Sequence, residues 1–487
     1  MNGSLLLGAV LAALSGFLLI ITFPKFDAVW MAPFALTPLL IAVAREQSRR
    51  WRFGLGYFTG LIYWCGANYW IQFVVDVHGG TGPALGWAVF ALFCLAKSLH
   101  MGAFALAAGW AMRVPWAAVA VPATWVAIEW THGPLGFAWL DLGNAGIDMS
   151  IPLRLAPITG VYGLSFLFAL MSTAVTLACL RRPRVQIAPV LMILIPFALP
   201  ALVEEQRGTA NALLVQPNIP DDQVWTPASF DATIQQLQLL SMISGSDPAR
   251  QPDVLVWPEV PAPFYDNTPE IAEAARRAGK GGRTYFLSGV VGRAEDGQPL
   301  NSAALWSPEG VVVSRYDKVN LVPFGEFVPW PLGYLAHKIS TEAGDFKPGK
   351  KVIVSQENGH LIGTFICYES VFPNFIRQFV LQGSEALFNL SNDSWFGRSA
   401  ARHQHLEIVR MRAVENRRWI LRATNDGITA SIDPAGRVTR EAASFKAVSA
   451  RVNFDYRKDL TFYTRWGDWF VAVCALVAVL GIWSGTK

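Results

Sequence analysis

The sequence predicts a polytopic α-helical membrane domain combined with a large α/β layered domain. Three observations lead there. Hydrophobic residues fill 52% of the 487 positions and charged residues only 16%, with 19 Trp, which is too apolar for a soluble chain of this length. Apolar runs of about 20 residues, the length of a membrane-crossing helix, recur through the first two hundred positions and once more near the end. Between them, short β-branched runs alternate with helical patterns, the arrangement of α/β layers with a site at the strand ends.

Seven spans are expected at roughly 4–22, 27–44, 53–75, 84–111, 114–130, 158–180 and 187–203, and an eighth at 466–483. The first reads as a span rather than a cleavable signal peptide. Met1 to Ser4 has no basic residue, no cleavage site follows, and further spans come directly after. The expected domains are therefore 1–207, a seven-helix membrane domain; 208–460, the α/β domain; and 461–487, the last helix and its tail.

Orientation follows from the loops. Arg45, Arg49, Arg50 and Arg52 precede the third span, Arg113 follows the fourth, Arg181, Arg182 and Arg184 follow the sixth, and Lys487 follows the eighth. The alternate loops hold only Lys25 and Arg154. Basic residues stay on the cytoplasmic side, so both termini are expected there and the 208–460 domain on the opposite side. A net charge of +4 argues against a nucleic-acid partner. Of five cysteines, Cys65, Cys94, Cys179 and Cys474 lie in apolar runs, so Cys367 has no disulfide partner in its own domain. No C-x-x-C or H-E-x-x-H spacing supports a metal site.

Ionisable residues inside spans are few: Lys97 and His100 in the fourth, Glu129 at the end of the fifth. They read as structural pairs, as snorkelling groups or as functional ones. The loop from Gly133 to Gly143 is rich in Gly and aromatics and suits either an interfacial floor or an aromatic belt.

In the polar stretch, strands are expected at Ala212–Pro217, Asp253–Glu259, Tyr285–Val291, Ala303–Trp306, Val311–Tyr316, Val352–Ser355, Leu361–Ile366, Ala386–Leu390, Ile420–Ala423 and Thr429–Ile432. Helices are expected near 228–244, 269–279, 371–382 and 403–417. Three strand ends carry chemistry. Glu259 closes Trp-Pro-Glu, Lys318 follows Arg315-Tyr316-Asp317, and Cys367 ends an apolar strand just before a helix, where backbone N–H groups favour a thiolate. A cysteine nucleophile, a carboxylate that takes and returns its proton and a fixed cation for the oxyanion form a complete set for thiol acyl transfer.

These motifs resemble the Glu-Lys-Cys pattern of the nitrilase superfamily. The match extends to its membrane branch, the apolipoprotein N-acyltransferases, through Leu-Val-Pro-Phe-Gly-Glu-Phe-Val-Pro at 321–329, Asn392-Asp393-Ser394-Trp395-Phe396-Gly397, Gln404-His405-Leu406 and Arg410-Met411-Arg412-Ala413. The resemblance implies a nitrilase-like αββα sandwich inserted before the last of eight transmembrane helices, in a bacterial inner membrane, with the catalytic domain periplasmic. It implies that Glu259 is general base then acid, Lys318 stabilises the oxyanion and Cys367 carries a fatty acyl thioester. The donor is then a membrane phospholipid and the acceptor the α-amine of a diacylglyceryl-cysteine on an apolipoprotein. Glu326 is expected to orient Lys318, and Glu369 to hold the amine or the loop. Tyr368, Trp225, Trp395 and Phe396 are expected to line or gate the lipid entrance. No cofactor is expected, and the chain is expected to work as a monomer.

Phe324, Phe327, Val328, Trp330, Leu332 and Tyr334 read as a mobile lid suited to the bilayer surface, or as an arm packed on the domain. A Cys-His pair through His403 or His405 is the less favoured reading, because residues two apart on a helix do not share a face. Arg410, Arg412, Arg417 and Arg418 suit lipid phosphates or an ion-paired face. A membrane-tethered carbon–nitrogen hydrolase would use the same three residues, with water attacking the thioester. A silent lipoprotein-binding protein is the alternative of another class.

Overall fold

The computed structural model describes residues 3–135, 137–202, 208–220, 222–242, 251–279, 283–323, 325–327 and 346–487. The chain divides into two compact units: Met1–Asp76, Gly82–Leu202 and Trp466–Lys487 in one, Val77–Thr81 and Val203–Arg465 in the other.

The first unit is helical. Among the described residues, Leu5–Thr22, Pro83–Ala111, Val161–Cys179 and Trp469–Thr486 are long and apolar enough to cross a membrane. Val161–Cys179 is 83% buried and the first and last of the four 28%, so it runs through the middle while the others show apolar faces such as Leu6, Leu14, Leu476 and Val479 outward. The other expected spans are helical but shorter or broken. Val29–Phe34 is a 3-10 turn containing Pro33, and the α-helix Thr37–Arg45 follows with Pro38 in its first turn. Arg49–Ala67 stops at buried Asn68 and resumes as Trp70–Phe73. Arg184–Ala198 comes in three short pieces holding Pro189 and Pro196. Proline cannot donate to a helical turn and clashes with the one before it, which accounts for the proline breaks.

Lys97 and Glu129 find partners within this unit. Lys97 Nζ donates to the Phe137 carbonyl at 2.9 Å and lies 4.9 Å from the Trp64 ring. Glu129 accepts from Leu142 N at 2.7 Å and Trp125 Nε1 at 3.0 Å. The His100 and His132 rings meet edge to face at 4.4 Å. The aromatic loop is folded inward, with Trp139 only 2% exposed and 5.1 Å from the Trp70 ring, so Trp139 does not belong to an outward-facing belt.

The second unit is built on two six-stranded sheets. The first has the order β12-β1-β2-β3-β4-β5 and the second β11-β10-β9-β8-β7-β6. The strands are β1 (Ala210–Gln216), β2 (Val254–Val256), β3 (Tyr285–Arg293), β4 (Pro299–Trp306), β5 (Val312–Asp317), β6 (Val354–Glu357), β7 (His360–Ile366), β8 (Ala386–Ser391), β9 (Ile420–Thr424), β10 (Ala430–Ile432), β11 (Val438–Glu441) and β12 (Val448–Phe454). Each sheet has a parallel centre, β1-β2-β3 or β7-β8-β9, flanked by antiparallel strands. The sheets face one another through β1 against β9 and β4 against β7. Helices Pro227–Met242 and Pro269–Ala278 cover the first sheet, and Pro373–Leu381 and Ala401–Asn416 the second. The result is an αββα sandwich. Central strands buried on both faces read as unbroken apolar runs, which is why Leu213 to Val215, Val254 to Val256 and Ala386 to Phe388 lack alternation.

Candidate active site

Glu259 stands three residues beyond β2, in a corner that packs tightly on β3. A Cβ at Gly289 would lie 2.7 Å from the Glu259 Cα and 2.3 Å from Val260 N, so only glycine lets the corner sit there. The corner is anchored by Trp257, whose Nε1 donates to Ser241 Oγ at 2.9 Å. Lys318 directly follows β5 and is held by its own N–H donating to the Asn301 carbonyl at 2.8 Å. Cys367 directly follows β7.

The structure brings these side chains together, all of them buried. Lys318 Nζ lies 3.2 Å from Glu259 Oε1 and 2.9 Å from the Glu326 carboxylate. Asn301 Nδ2 donates to the same two carboxylates, at 2.8 and 2.6 Å. Glu259 Oε2 accepts from Asn392 N at 2.8 Å, and Glu326 Oε2 from Val322 N at 2.8 Å. Burial opposes the Lys318 charge, but Glu259 and Glu326 outweigh it and hold the ammonium far above its usual range. Burial lifts the Glu259 carboxyl, with Lys318 pulling it down and Glu326 pushing it up, for a net rise. An ammonium has three hydrogens, and these two carboxylates use two of them.

The helix-terminus expectation for the thiol is corrected by the structure. The residues after β7 form a five-residue 3-10 turn, Cys367–Val371, and the α-helix begins only at Pro373. Burial and then the Glu259 charge push the Cys367 thiol up, with Lys318 opposing, so the resting group is a thiol. Cys367 itself has φ +48°, a left-handed conformation that is rare for a side chain with a Cβ.

Glu369 braces the loop that carries Lys318. Its Oε1 accepts from Tyr316 Oη at 2.6 Å, Val319 N at 2.8 Å and Asn320 N at 3.1 Å, and its Oε2 from Ile366 N at 2.8 Å. Of the two tasks expected of Glu369, holding the loop is the one these bonds describe. Burial raises its pKa to about 7, against the Tyr316 and backbone hydrogen bonds that lower it.

The expected lining residues divide. Trp225 and Trp395 border a cavity of about 170 Å³ that reaches Glu259 and is also lined by His78, Gln223 and Asn392. The Trp395 ring stacks on His78 at 4.6 Å. Phe396 turns inward, edge-on to His405 at 5.7 Å, and Tyr368 packs edge-on to Phe372 at 5.4 Å; neither borders that cavity. Phe327 is half-buried, while the rest of the expected lid, Phe324, Val328, Trp330, Leu332 and Tyr334, lies outside the described residues. His403 is exposed, whereas His405 is fully buried and reaches the Cys367 main chain rather than standing as its thiol partner. Arg412 and Arg418 are also buried, and Arg418 is spent on the carbonyls of Ser384 and Asp459, an inward anchor rather than a lipid-facing charge.

Sequence reasoning missed Asn301, Asn392 N and Tyr316. None carries a local signal: Asn301 is one amide inside β4, and Tyr316 an aromatic on a strand. Among the described residues, no group of three or more His, Cys, Asp or Glu is placed to hold a metal ion.

Comparison with known proteins identifies the family. Residues 212–458 match the carbon–nitrogen hydrolase family, and residues 15–174 match the apolipoprotein N-acyltransferase N-terminal domain. The apolipoprotein N-acyltransferase of Geobacter metallireducens is 34% identical over 495 residues, covering 97% of this chain and 94% of that protein. That of Pseudomonas putida is 30% identical over 500 residues, covering 98% and 97%. Among solved structures, an amidase from Nesterenkonia sp. matches 54% of this chain and 95% of its own at 17% identity and a TM-score of 0.38. With both family domains present and the relatives matched from end to end, the chain belongs to the apolipoprotein N-acyltransferase family.

Proposed function

We propose that the protein moves a fatty acyl chain from a membrane phospholipid to the α-amine of an N-terminal diacylglyceryl-cysteine, by a ping-pong route through Cys367. Glu259 takes the thiol proton as sulfur attacks the ester carbonyl. The oxyanion forms against the unused Lys318 hydrogen. The ester C–O bond breaks, Glu259 returns the proton to the glycerol oxygen, and lysophospholipid leaves a thioester behind. The acceptor amine then attacks that thioester. Glu259 takes the amine proton and gives it to the departing sulfur, leaving an amide and a free thiol. Glu326 orients Lys318, Glu369 holds its loop, and Trp225 and Trp395 border the approach.

The observation that carries this reading is the buried Lys318 shared by Glu259 and Glu326 within electrostatic reach of the Cys367 thiol. A carboxylate that burial makes more basic is a better acceptor for a thiol proton that is tightly held. Location in a membrane suits the substrates, since exposing each lipid CH₂ to water costs about 0.8 kcal/mol. We place residues 1–207 as seven spans, 208–460 as the catalytic domain on the periplasmic side of the bacterial inner membrane, and 461–487 as the eighth span with a cytoplasmic tail, on the loop charges given above.

The test supplies phospholipid vesicles and a synthetic diacylated lipopeptide to the purified protein and follows mass. A lipopeptide heavier by one acyl chain, with lysophospholipid formed and an acyl adduct on Cys367 that is lost in Cys367→Ala, is the expected result. Free fatty acid with an unchanged lipopeptide would instead mark a hydrolase. Retained lipopeptide binding with no adduct would mark a binding protein.

A further inference from the structure

A second buried cluster adjoins Cys367 and has no part in the steps above. His405 on helix Ala401–Asn416, Asp393 in the turn after β8 and Arg422 on β9 are each 0% exposed. Arg422 Nη2 lies 2.7 Å from both Asp393 oxygens, and its Nη1 meets Asn389 Oδ1. Ser391 Oγ donates to Asp393 Oδ1 at 2.9 Å. The fit is close, since a Cβ at Gly427 would stand 2.3 Å from Asp393 Oδ2.

His405 joins this cluster to the cysteine. Its Nε2 is 3.2 Å from the Cys367 carbonyl oxygen and 2.9 Å from Ser370 Oγ, and its Nδ1 is 3.1 Å from both Arg422 Nη2 and Asp393 Oδ1. A carbonyl only accepts, so Nε2 carries the hydrogen. Nδ1 faces both the Arg422 guanidinium, which only donates, and the Asp393 carboxylate, which only accepts. Burial first, then Arg422, hold the ring pKa below its ordinary value despite Asp393, so the ring is neutral, and with its one hydrogen on Nε2 it presents the Nδ1 lone pair to Arg422.

The cysteine needs such a hold. Its left-handed conformation is unfavourable for a residue with a Cβ, and the surroundings must enforce it. Glu369 fixes the residue before it through Ile366 N, and His405 takes the carbonyl after it. We propose that His405 is a positioning residue: by donating Nε2–H to the Cys367 carbonyl, on a base set by Arg422 and Asp393, it holds the cysteine backbone in the one conformation that presents the thiol to Glu259 and Lys318. This rests on the reading of Cys367 as the acylated nucleophile.

The test compares full-length wild type, His405→Leu and His405→Gln in detergent, following acyl-adduct formation from phospholipid and iodoacetamide alkylation, both at Cys367 by peptide mass spectrometry. Glutamine keeps an N–H donor near the Nε2 position. His405→Leu is expected to slow both reactions by about 10²-fold, the scale for a nucleophile displaced by about 1 Å, while His405→Gln recovers most of the rate. Wild-type rates in His405→Leu would overturn the proposal, as would equal losses in both variants. Should the leucine variant not fold, ¹⁵N-histidine NMR of the wild type reads the tautomer directly. A proton on Nε2 alone supports the proposal, and an Nδ1–H tautomer or an imidazolium at His405 sinks it. If wild type forms no acyl adduct, the acyl-transfer reading fails, yet the alkylation ratio and the tautomer still judge His405.

Discussion

One buried network meets the thiol of Cys367 and another its carbonyl, and their charge balance differs. At the thiol, two carboxylates share one ammonium, and burial, helped by the Glu326 charge, leaves the Glu259 pKa raised despite Lys318. At the carbonyl, one carboxylate is matched by one guanidinium beside a neutral ring, and the Asp393 pKa is far below its usual value because the Arg422 charge overcomes the burial that would lift it. An unbalanced buried pair is poised to exchange a proton. A balanced one is poised to keep its shape. The same sandwich thus uses buried charge for reactivity in one place and for rigidity in the other.

The comparison is broken most directly at Lys318. Lys318→Met leaves two buried carboxylates facing each other and no oxyanion partner; thioester formation, read as lysophospholipid released in the first turnover, should fall by about 10²–10³-fold or more. Retained first-turnover release would remove Lys318 from the chemistry.

Arg422→Met attacks the balanced network. It strands Asp393, and loss of one partner of a buried pair costs about 3–5 kcal/mol, read as a lower thermal unfolding midpoint. The double variant Arg422→Met/Asp393→Leu should recover much of that. A depressed carboxyl stabilises the fold above its unfolded pKa and loses that contribution as pH falls through the folded one, so wild type and the double variant should converge on acidification.

Glu259→Gln separates reactivity from stability. Acyl-adduct formation should drop by about 10²–10⁴-fold, but the fold should not weaken. A carboxyl whose pKa rises on folding contributes stability below its unfolded pKa and loses it as pH climbs through the folded value. The variant escapes that loss, so its unfolding midpoint relative to wild type should rise with pH. A gap that closes with pH would mean that Glu259 is charge-balanced after all.

Tyr316→Phe is the smallest perturbation. It removes one donor to Glu369, a loss of about 1 kcal/mol, measurable as a modest midpoint shift with the Lys318 loop still held by two backbone N–H groups.

Much of this was legible in the chain. The buried central strands announced themselves as apolar β-branched runs, and Glu259, Lys318 and Cys367 stood at their ends. β11 and β12 were not foreseen, because Val438–Glu441 and Val448–Phe454 mix polar and half-buried positions, and β12 closes the first sheet only by pairing antiparallel with β1 far away in sequence. The family resemblance put Phe396 at the entrance, but the 3-10 turn Asp393–Phe396 sends its ring inward against His405.

Residue order alone settled where apolar runs fall and where strands alternate with helices, and it singled out three strand-end groups as candidates for acyl chemistry, because these depend on neighbours along the chain. The tertiary structure decided the protonation of Cys367, the sharing of Lys318 between two carboxylates and the tie from His405 to the cysteine carbonyl. Those follow from desolvation and Coulomb forces between groups eight to more than a hundred residues apart, and such terms have no value until folding fixes the distances.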